Sequence, residues 1–215
     1  TDGHMMIAEG KEDEEKTIRE FDTEDPGQVI REILVRYKSP VIEGMPSFTG
    51  GLVGYFSYDY MKYQEPSLKP ALEKKGQKEF RDVDLMLFDR VIVFDNYRQK
   101  LILIAGVSLE GDLEENLKSA EAELTQMEKL IRSRAKAVFP PLSLEEAFSF
   151  GADQQEYCAM VEKAKEYIRE GDIFQAVLSN PMTARARGSL FDTYRVLRTT
   201  NPSPYMFYFS SDDIE

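Results

Sequence analysis

A single cysteine, Cys158, leaves the 215-residue chain no partner for an intrachain disulfide. It stands beside Met160 and Val161 in a helical pattern, so a buried, inert thiol is expected there and not a nucleophile. The one histidine, His4, lies near the N-terminus. Alone it forms neither a metal cluster nor a nucleophile–base pair with a second histidine. No apolar run reaches the roughly 18 residues of a membrane helix, and no signal-peptide pattern opens the sequence. Positive charge is also short: 27 Lys and Arg against 39 Asp and Glu give a net charge of −12. That balance argues against nucleic acid or an anionic membrane as partner and fits a soluble, cytoplasmic protein.

What is present is an ordinary globular composition, 42% hydrophobic and 31% charged. The first five residues, TDGHM, read either as a cloning remnant or as the start of a strand. The second reading gives a hairpin, HMMIAEG turning through 11–15 and returning as KTIREF. Asp25-Pro26-Gly27-Gln28 is a helix start, with Asp25 as N-cap and Pro26 at the first helical position. Val29, Ile30, Ile33, Leu34 and Tyr37 follow as a core face. Residues 64–81 read as a loop, and apolar strands at 84–88, 91–94 and 101–104 follow, the last two as a hairpin.

From Leu113 the pattern turns helical. Leu113, Leu117, Ala120, Leu124, Met127 and Ile131 recur every three or four residues as one stripe of a connecting helix, 112–136, packed on its own domain. Phe139-Pro140-Pro141 breaks it and divides the chain into regions 1–138 and 139–215. Asp153 with Glu156 caps a second helix, whose apolar face is Tyr157, Met160, Val161, Ala164 and Ile168 and whose stop is Gly171. The fold class expected is α+β: mostly antiparallel sheets with helices on their outer faces.

Gly171 to Met206 holds the most distinctive residues. DIFQAVLS reads as a strand with Phe174, Ala176 and Leu178 on one face and Ile173, Gln175, Val177 and Ser179 on the other. Met182 to Arg187 reads as an antiparallel return strand, in which Arg185 and Arg187 form a solvated face or meet an anion. A helix over 191–200, with Phe191, Tyr194 and Leu197 inward, leads to Asn201-Pro202-Ser203-Pro204-Tyr205-Met206. Two alternating prolines make that stretch a stiff rim. Residues 205–209 read as an apolar strand, 210–213 as a turn, and Ile214-Glu215 as the start of a returning strand, so the sequence has the look of one cut within its fold. By themselves these residues assemble no acid, base and nucleophile set. They describe a structural or ligand-binding piece.

DIFQAVLSN and NPSPYMFYF resemble motifs of anthranilate synthase component I, within the chorismate-utilising enzymes. FTGGLVGYFSYD, at 48–59, is similar to that family's glycine-rich N-terminal strand. Phosphate-loop and dinucleotide readings of the same glycines fail, because no Gly-Lys-Ser/Thr and no helix follows them. The resemblance covers about 25–215. It lacks the family's LLES-type segment, which forms half of the tryptophan pocket, and the PIAGT-type motif with the later catalytic positions. What it implies is a lyase that eliminates the ring hydroxyl of chorismate with Mg²⁺, adds ammonia from a glutamine amidotransferase subunit and releases pyruvate. Tryptophan biosynthesis is the setting, with L-tryptophan as feedback inhibitor.

Chorismate-utilising relatives that add water instead carry a lysine where Gln175 stands, and that lysine activates the water, so the amide here implies ammonia as nucleophile. An amide simply hydrogen-bonded in a strand is the competing reading. Asn201, Ser203, Pro204, Tyr205 and Met206 match the inhibitor-binding segment, against a plain turn and core strand. The resemblance places the Mg²⁺ ligands outside this chain and implies that the chain alone is inactive. Aminodeoxychorismate synthase component I and a non-catalytic amino-acid-binding module remain the alternatives.

Overall fold

The computed structural model describes residues 3–10, 16–68, 80–212 and 214–215. The chain clusters into two compact units, Thr1–Ala135 and Lys136–Glu215. Both are built of helices and antiparallel two-stranded sheets, with five α-helices among the described residues, in agreement with the α+β expectation.

In the first unit β1 (His4–Glu9) and β2 (Thr17–Asp22) pair antiparallel, from His4 opposite Asp22 to Glu9 opposite Thr17. The turn expected at 11–15 lies outside the described residues. Helix α1 (Pro26–Arg36) begins as read: the Asp25 side chain accepts from the Gln28 backbone N–H at 3.0 Å. Gln28 does not return the bond, because its side chain donates to Glu32 at 3.1 Å. The expected core face is narrower than read. Ile30 is buried and Val29 and Ile33 half-buried, but Leu34 and Tyr37 are exposed. A short helix covered along one line cannot bury a stripe a full quadrant wide.

Strand β3 (Gly51–Phe56) pairs antiparallel with β4 (Val83–Phe88), setting Gly54 opposite Leu85. Between them lie helix α2 (Met61–Gln64) and a 3-10 turn at Pro66–Leu68; the rest of the expected loop, 69–79, lies outside the described residues. Strands β5 (Arg90–Asp95) and β6 (Lys100–Ala105) form the expected hairpin. Helix α3 (Leu113–Ser133) is capped by Asp112, whose side chain accepts from Glu114 N at 2.9 Å. It packs on β6, with Ala120 buried and Leu124, Met127 and Ile131 half-buried; Leu113 and Leu117 stay exposed in its first turns.

The second unit departs further from the reading. Helix α4 (Gln154–Glu170) carries the full capping box between Asp153 and Glu156, and Gly171 ends it at φ +84°. That conformation suits glycine because it lacks a Cβ. Of the expected face, Tyr157, Val161 and Ala164 are half-buried while Met160 and Ile168 are exposed. Cys158 is exposed, not buried. One residue past Tyr157 is about 100° round the helix, which turns Cys158 off the covered line.

No strand forms over Asp172–Ser179 or Tyr205–Phe209, against expectation. A strand exists only with a paired neighbour, and among the described residues neither segment has one. The return strand is likewise redistributed. Strands β7 (Ser143–Leu144) and β8 (Ser149–Phe150) pair with β10 (Ala186–Arg187) and β9 (Met182–Thr183), so 182–187 answers the region before α4 and not DIFQAVLS. Helix α5 (Phe191–Thr200) completes the unit, with Phe191 and Tyr194 half-buried and Leu197 exposed.

Candidate functional site

Both distinctive motifs lie in the second unit. The first runs off the end of α4: Asp172 N donates to the Tyr167 carbonyl at 3.0 Å, so the chain folds back along the helix it has left. Ile173, Ala176 and Leu178 face Met160, Ala164 and Tyr167 across an apolar cleft of about 300 Å³, with Lys163 at its edge. This overturns the alternation read from the sequence, which set Ile173 and Leu178 on opposite faces. Without a pleated ladder a period of two is not imposed. Phe174 and Val177 are 94% and 87% exposed, and Gln175 is exposed with no hydrogen-bond partner among the described residues. Gln175 is thus not the satisfied amide of a strand interior among the described residues.

A second cleft of about 590 Å³ opens where the motif ends, lined by Phe150, Ala152, Asp153, Gln154, Tyr157 and Asn180. The Asn180 carboxamide accepts from Ala152 N and donates to Ala152 O, both at 2.9 Å. The Tyr157 hydroxyl donates to the Leu178 carbonyl at 3.2 Å. Sequence reasoning gave neither side chain a role here. The one local signal was Asn180 preceding Pro181, which holds Asn180 extended and removes the next backbone donor.

The other motif begins where α5 stops, with Asn201 N donating to the Leu197 carbonyl at 2.9 Å. Asn201, Ser203, Pro204 and Tyr205 are exposed, and Met206 is half-buried. The Met206 thioether lies 3.4 Å from Ser203 N, a bond that bends 203–206 into a turn where a straight rim was read. The turn keeps the Tyr205 ring in solvent at 93% exposure. Arg185 and Arg187 face Glu146 and Glu145 at the surface, which is the solvated-face reading.

Past the second motif the chain closes on the start of α5. The Glu215 carboxylate accepts from Ser189 Oγ and from Leu190 N, both at 2.7 Å, and from the Tyr208 hydroxyl. Phe191 packs on Phe139 and Tyr208 with ring centroids at 4.6 and 5.2 Å. Donation from Tyr208 first, then from Leu190 and Ser189, holds the Glu215 carboxyl below the ordinary glutamate range, and the same bond raises the Tyr208 phenol. A depressed acid stabilises the fold above its unfolded pKa, and that contribution disappears as pH falls through the folded value. Acidification below the ordinary glutamate range is therefore expected to release the start of α5, visible in an NMR titration as amide shifts at Leu190 and Phe191 that follow the titration of ordinary carboxylates. Glu215→Gln should abolish that acid step.

Among the described residues no three or more His, Cys, Asp or Glu side chains gather so as to hold a metal ion. The Mg²⁺ that the resemblance implies finds no ligand set among them, and no step is derived through it. No helix of the described residues is long and apolar enough to cross a membrane.

Comparison with known proteins gives the context of these motifs. The family model described as chorismate binding enzyme matches residues 3–215. Anthranilate synthase component 1 of Aquifex aeolicus is 34% identical over 200 residues, spanning 91% of this chain and 40% of that protein. The protein of the same name from Pseudomonas aeruginosa is 35% identical over 203 residues, spanning 90% of this chain and 40% of its own. The crystal structure of anthranilate synthase component I from Streptococcus pneumoniae superposes with a TM-score of 0.66 at 27% identity, covering 96% of this chain and 47% of that one. The chain thus spans about 40% of the length of these curated relatives.

Proposed function

This chain belongs to the chorismate binding enzyme family, and on that premise we propose that it is part of an anthranilate synthase component I. The whole subunit takes chorismate and ammonia to anthranilate, pyruvate and water. Ammonia forms the new ring C–N bond as the ring hydroxyl leaves as water. Loss of a ring proton then expels the enolpyruvyl group as pyruvate and leaves an aromatic ring. A glutamine amidotransferase subunit supplies the ammonia, and the setting is the cytoplasm.

The observation that carries the reading is the amide of Gln175, exposed and without a hydrogen-bond partner among the described residues, in a segment that matches the family. An amide does not titrate usefully at physiological pH, so it cannot deprotonate water as a desolvated lysine can. Ammonia is already a competent nucleophile and needs no such base. Both relatives compared above are named as anthranilate synthases, which favours this product over aminodeoxychorismate.

L-tryptophan is the proposed inhibitor, held in part by Asn201, Ser203, Pro204, Tyr205 and Met206. Support comes from a turn that presents an aromatic ring beside a polarizable thioether. Contacts of these kinds add about 0.3–1.5 kcal/mol each on an indole, and the prolines lower the cost of ordering the segment. In the whole subunit Pro204→Ser and Met206→Thr are each expected to raise the tryptophan concentration for half-inhibition about tenfold, with chorismate turnover within about twofold of the parent. Unchanged inhibition in both variants would reject the site. The 215-residue chain by itself is expected to show no turnover, and an assay with chorismate, Mg²⁺ and ammonium checks this.

A further inference from the structure

We infer that Asn180 and Tyr157 are positioning residues that hold the segment 172–180, and Gln175 with it, against the first turn of α4. A short ladder joins β8 and β9. It pairs Ser149 with Thr183 and Phe150 with Met182, and Gly151 N donates to the Pro181 carbonyl at 3.0 Å. Pro181 has no N–H, so the ladder cannot continue through the backbone. The Asn180 side chain takes over. Its carbonyl oxygen and its amino group meet the N–H and C=O of Ala152, both at 2.9 Å, and so reproduce the donor–acceptor pair of a peptide group. A reversed amide would set donor against donor and acceptor against acceptor, so one orientation is fixed.

The approach is close enough that a Cβ at Gly151 would lie 2.8 Å from Pro181 Cδ. Tyr157 adds the second tie, from one turn inside α4 to the Leu178 carbonyl at 3.2 Å. Leu178 and Asn180 stand three and five residues beyond Gln175. The two ties therefore fix the downstream end of the segment that presents it, while Ile173, Ala176 and Leu178 line the apolar cleft along the helix. Only a neutral group that both donates and accepts can serve at 180. An aspartate does so when protonated and opposes the Ala152 carbonyl when ionised. Asp153 and Tyr157 are the titratable groups lining the same cleft.

The functional consequence rests on the role proposed above for Gln175; the positioning itself does not. The test uses the whole subunit and compares Asn180→Ala, Asn180→Asp, Tyr157→Phe and Gln175→Ala. Hydrogen exchange at Gly151 and Ala152, whose N–H groups donate to the Pro181 carbonyl and the Asn180 side chain, is expected to quicken about tenfold in Asn180→Ala and severalfold in Tyr157→Phe, and to stay unchanged in Gln175→Ala. In Asn180→Asp the protection should match the parent at acid pH and fall as the introduced carboxyl ionises, a pH profile that simple loss of packing does not produce. The ammonium KM should rise about fivefold in Asn180→Ala with a smaller change in kcat. Parent-like exchange in Asn180→Ala, or pH-independent exchange in Asn180→Asp, overturns the positioning. Were Gln175→Ala alone to leave ammonium-dependent turnover untouched, the role of Gln175 would fail while the exchange data still decided the positioning.

Discussion

Asp82→Asn is expected to cost the first unit roughly 3–5 kcal/mol, the usual penalty for breaking a buried ion pair from one side. Lys62 Nζ lies 2.7 Å from Asp82 Oδ2, and the two side chains are 2% and 6% exposed. The Tyr63 hydroxyl donates to the same carboxylate oxygen at 2.9 Å and accepts from Gly3 N at 2.8 Å. One carboxylate thus ties α2 and the start of β4 to the residue preceding β1. For a chain of this length the loss corresponds to a fall in Tm on the order of 10 °C. Lys62→Met should cost a similar amount, since it breaks the same pair from the other side. The double variant Lys62→Met/Asp82→Leu should recover much of the loss, because removing both charges also removes their desolvation cost. Additive losses in the double variant, read from thermal melts of all three, would show that the two charges are not coupled.

The second large effect concerns Gly54, where β3 runs against β4 with no room for a side chain. A Cβ there would fall inside the van der Waals envelope of the Asp84 carbonyl oxygen and 2.9 Å from Leu85 Cα. The obstacles are backbone atoms, which cannot rotate aside, so the strands would have to separate. Gly54→Ala is expected to destabilise the unit by roughly 1–3 kcal/mol, the usual cost of overpacking, and Gly54→Val by more. Amide exchange along 51–56 and 83–88 reads the effect locally. Protection equal to the parent in Gly54→Val would contradict the close approach.

Where structure follows from neighbours in sequence, it was legible. The Asp25 and Asp153 caps, the Gly171 stop and the hairpins of β1–β2 and β5–β6 each depend on residues a few positions apart. The glycines of 48–59 could be read as no phosphate loop, but nothing near them in sequence says that β4 is the strand lying against Gly54. What stayed hidden depends on distant partners. DIFQAVLS has a strand's composition, but composition does not supply the strand it must pair with. Lys62 looks like any charge on a short helix, and its burial follows from an aspartate twenty residues on. Cys158 was misplaced because its apolar neighbours say nothing of which side of α4 is covered. The candidate site divides the same way. Gln175 and 201–206 stood out by resemblance, whereas the tethers from Asn180, Tyr157 and Glu215 are contacts of 21 to 28 residues' separation.

The proposed nucleophile on the ring is ammonia and not water. That is tested most directly by incubating the whole subunit with chorismate, Mg²⁺ and ammonium and resolving the products by chromatography. Anthranilate and pyruvate are expected in equal amounts, in proportion to ammonium and with no hydroxylated chorismate isomer. A hydroxylated product formed without ammonium would contradict it.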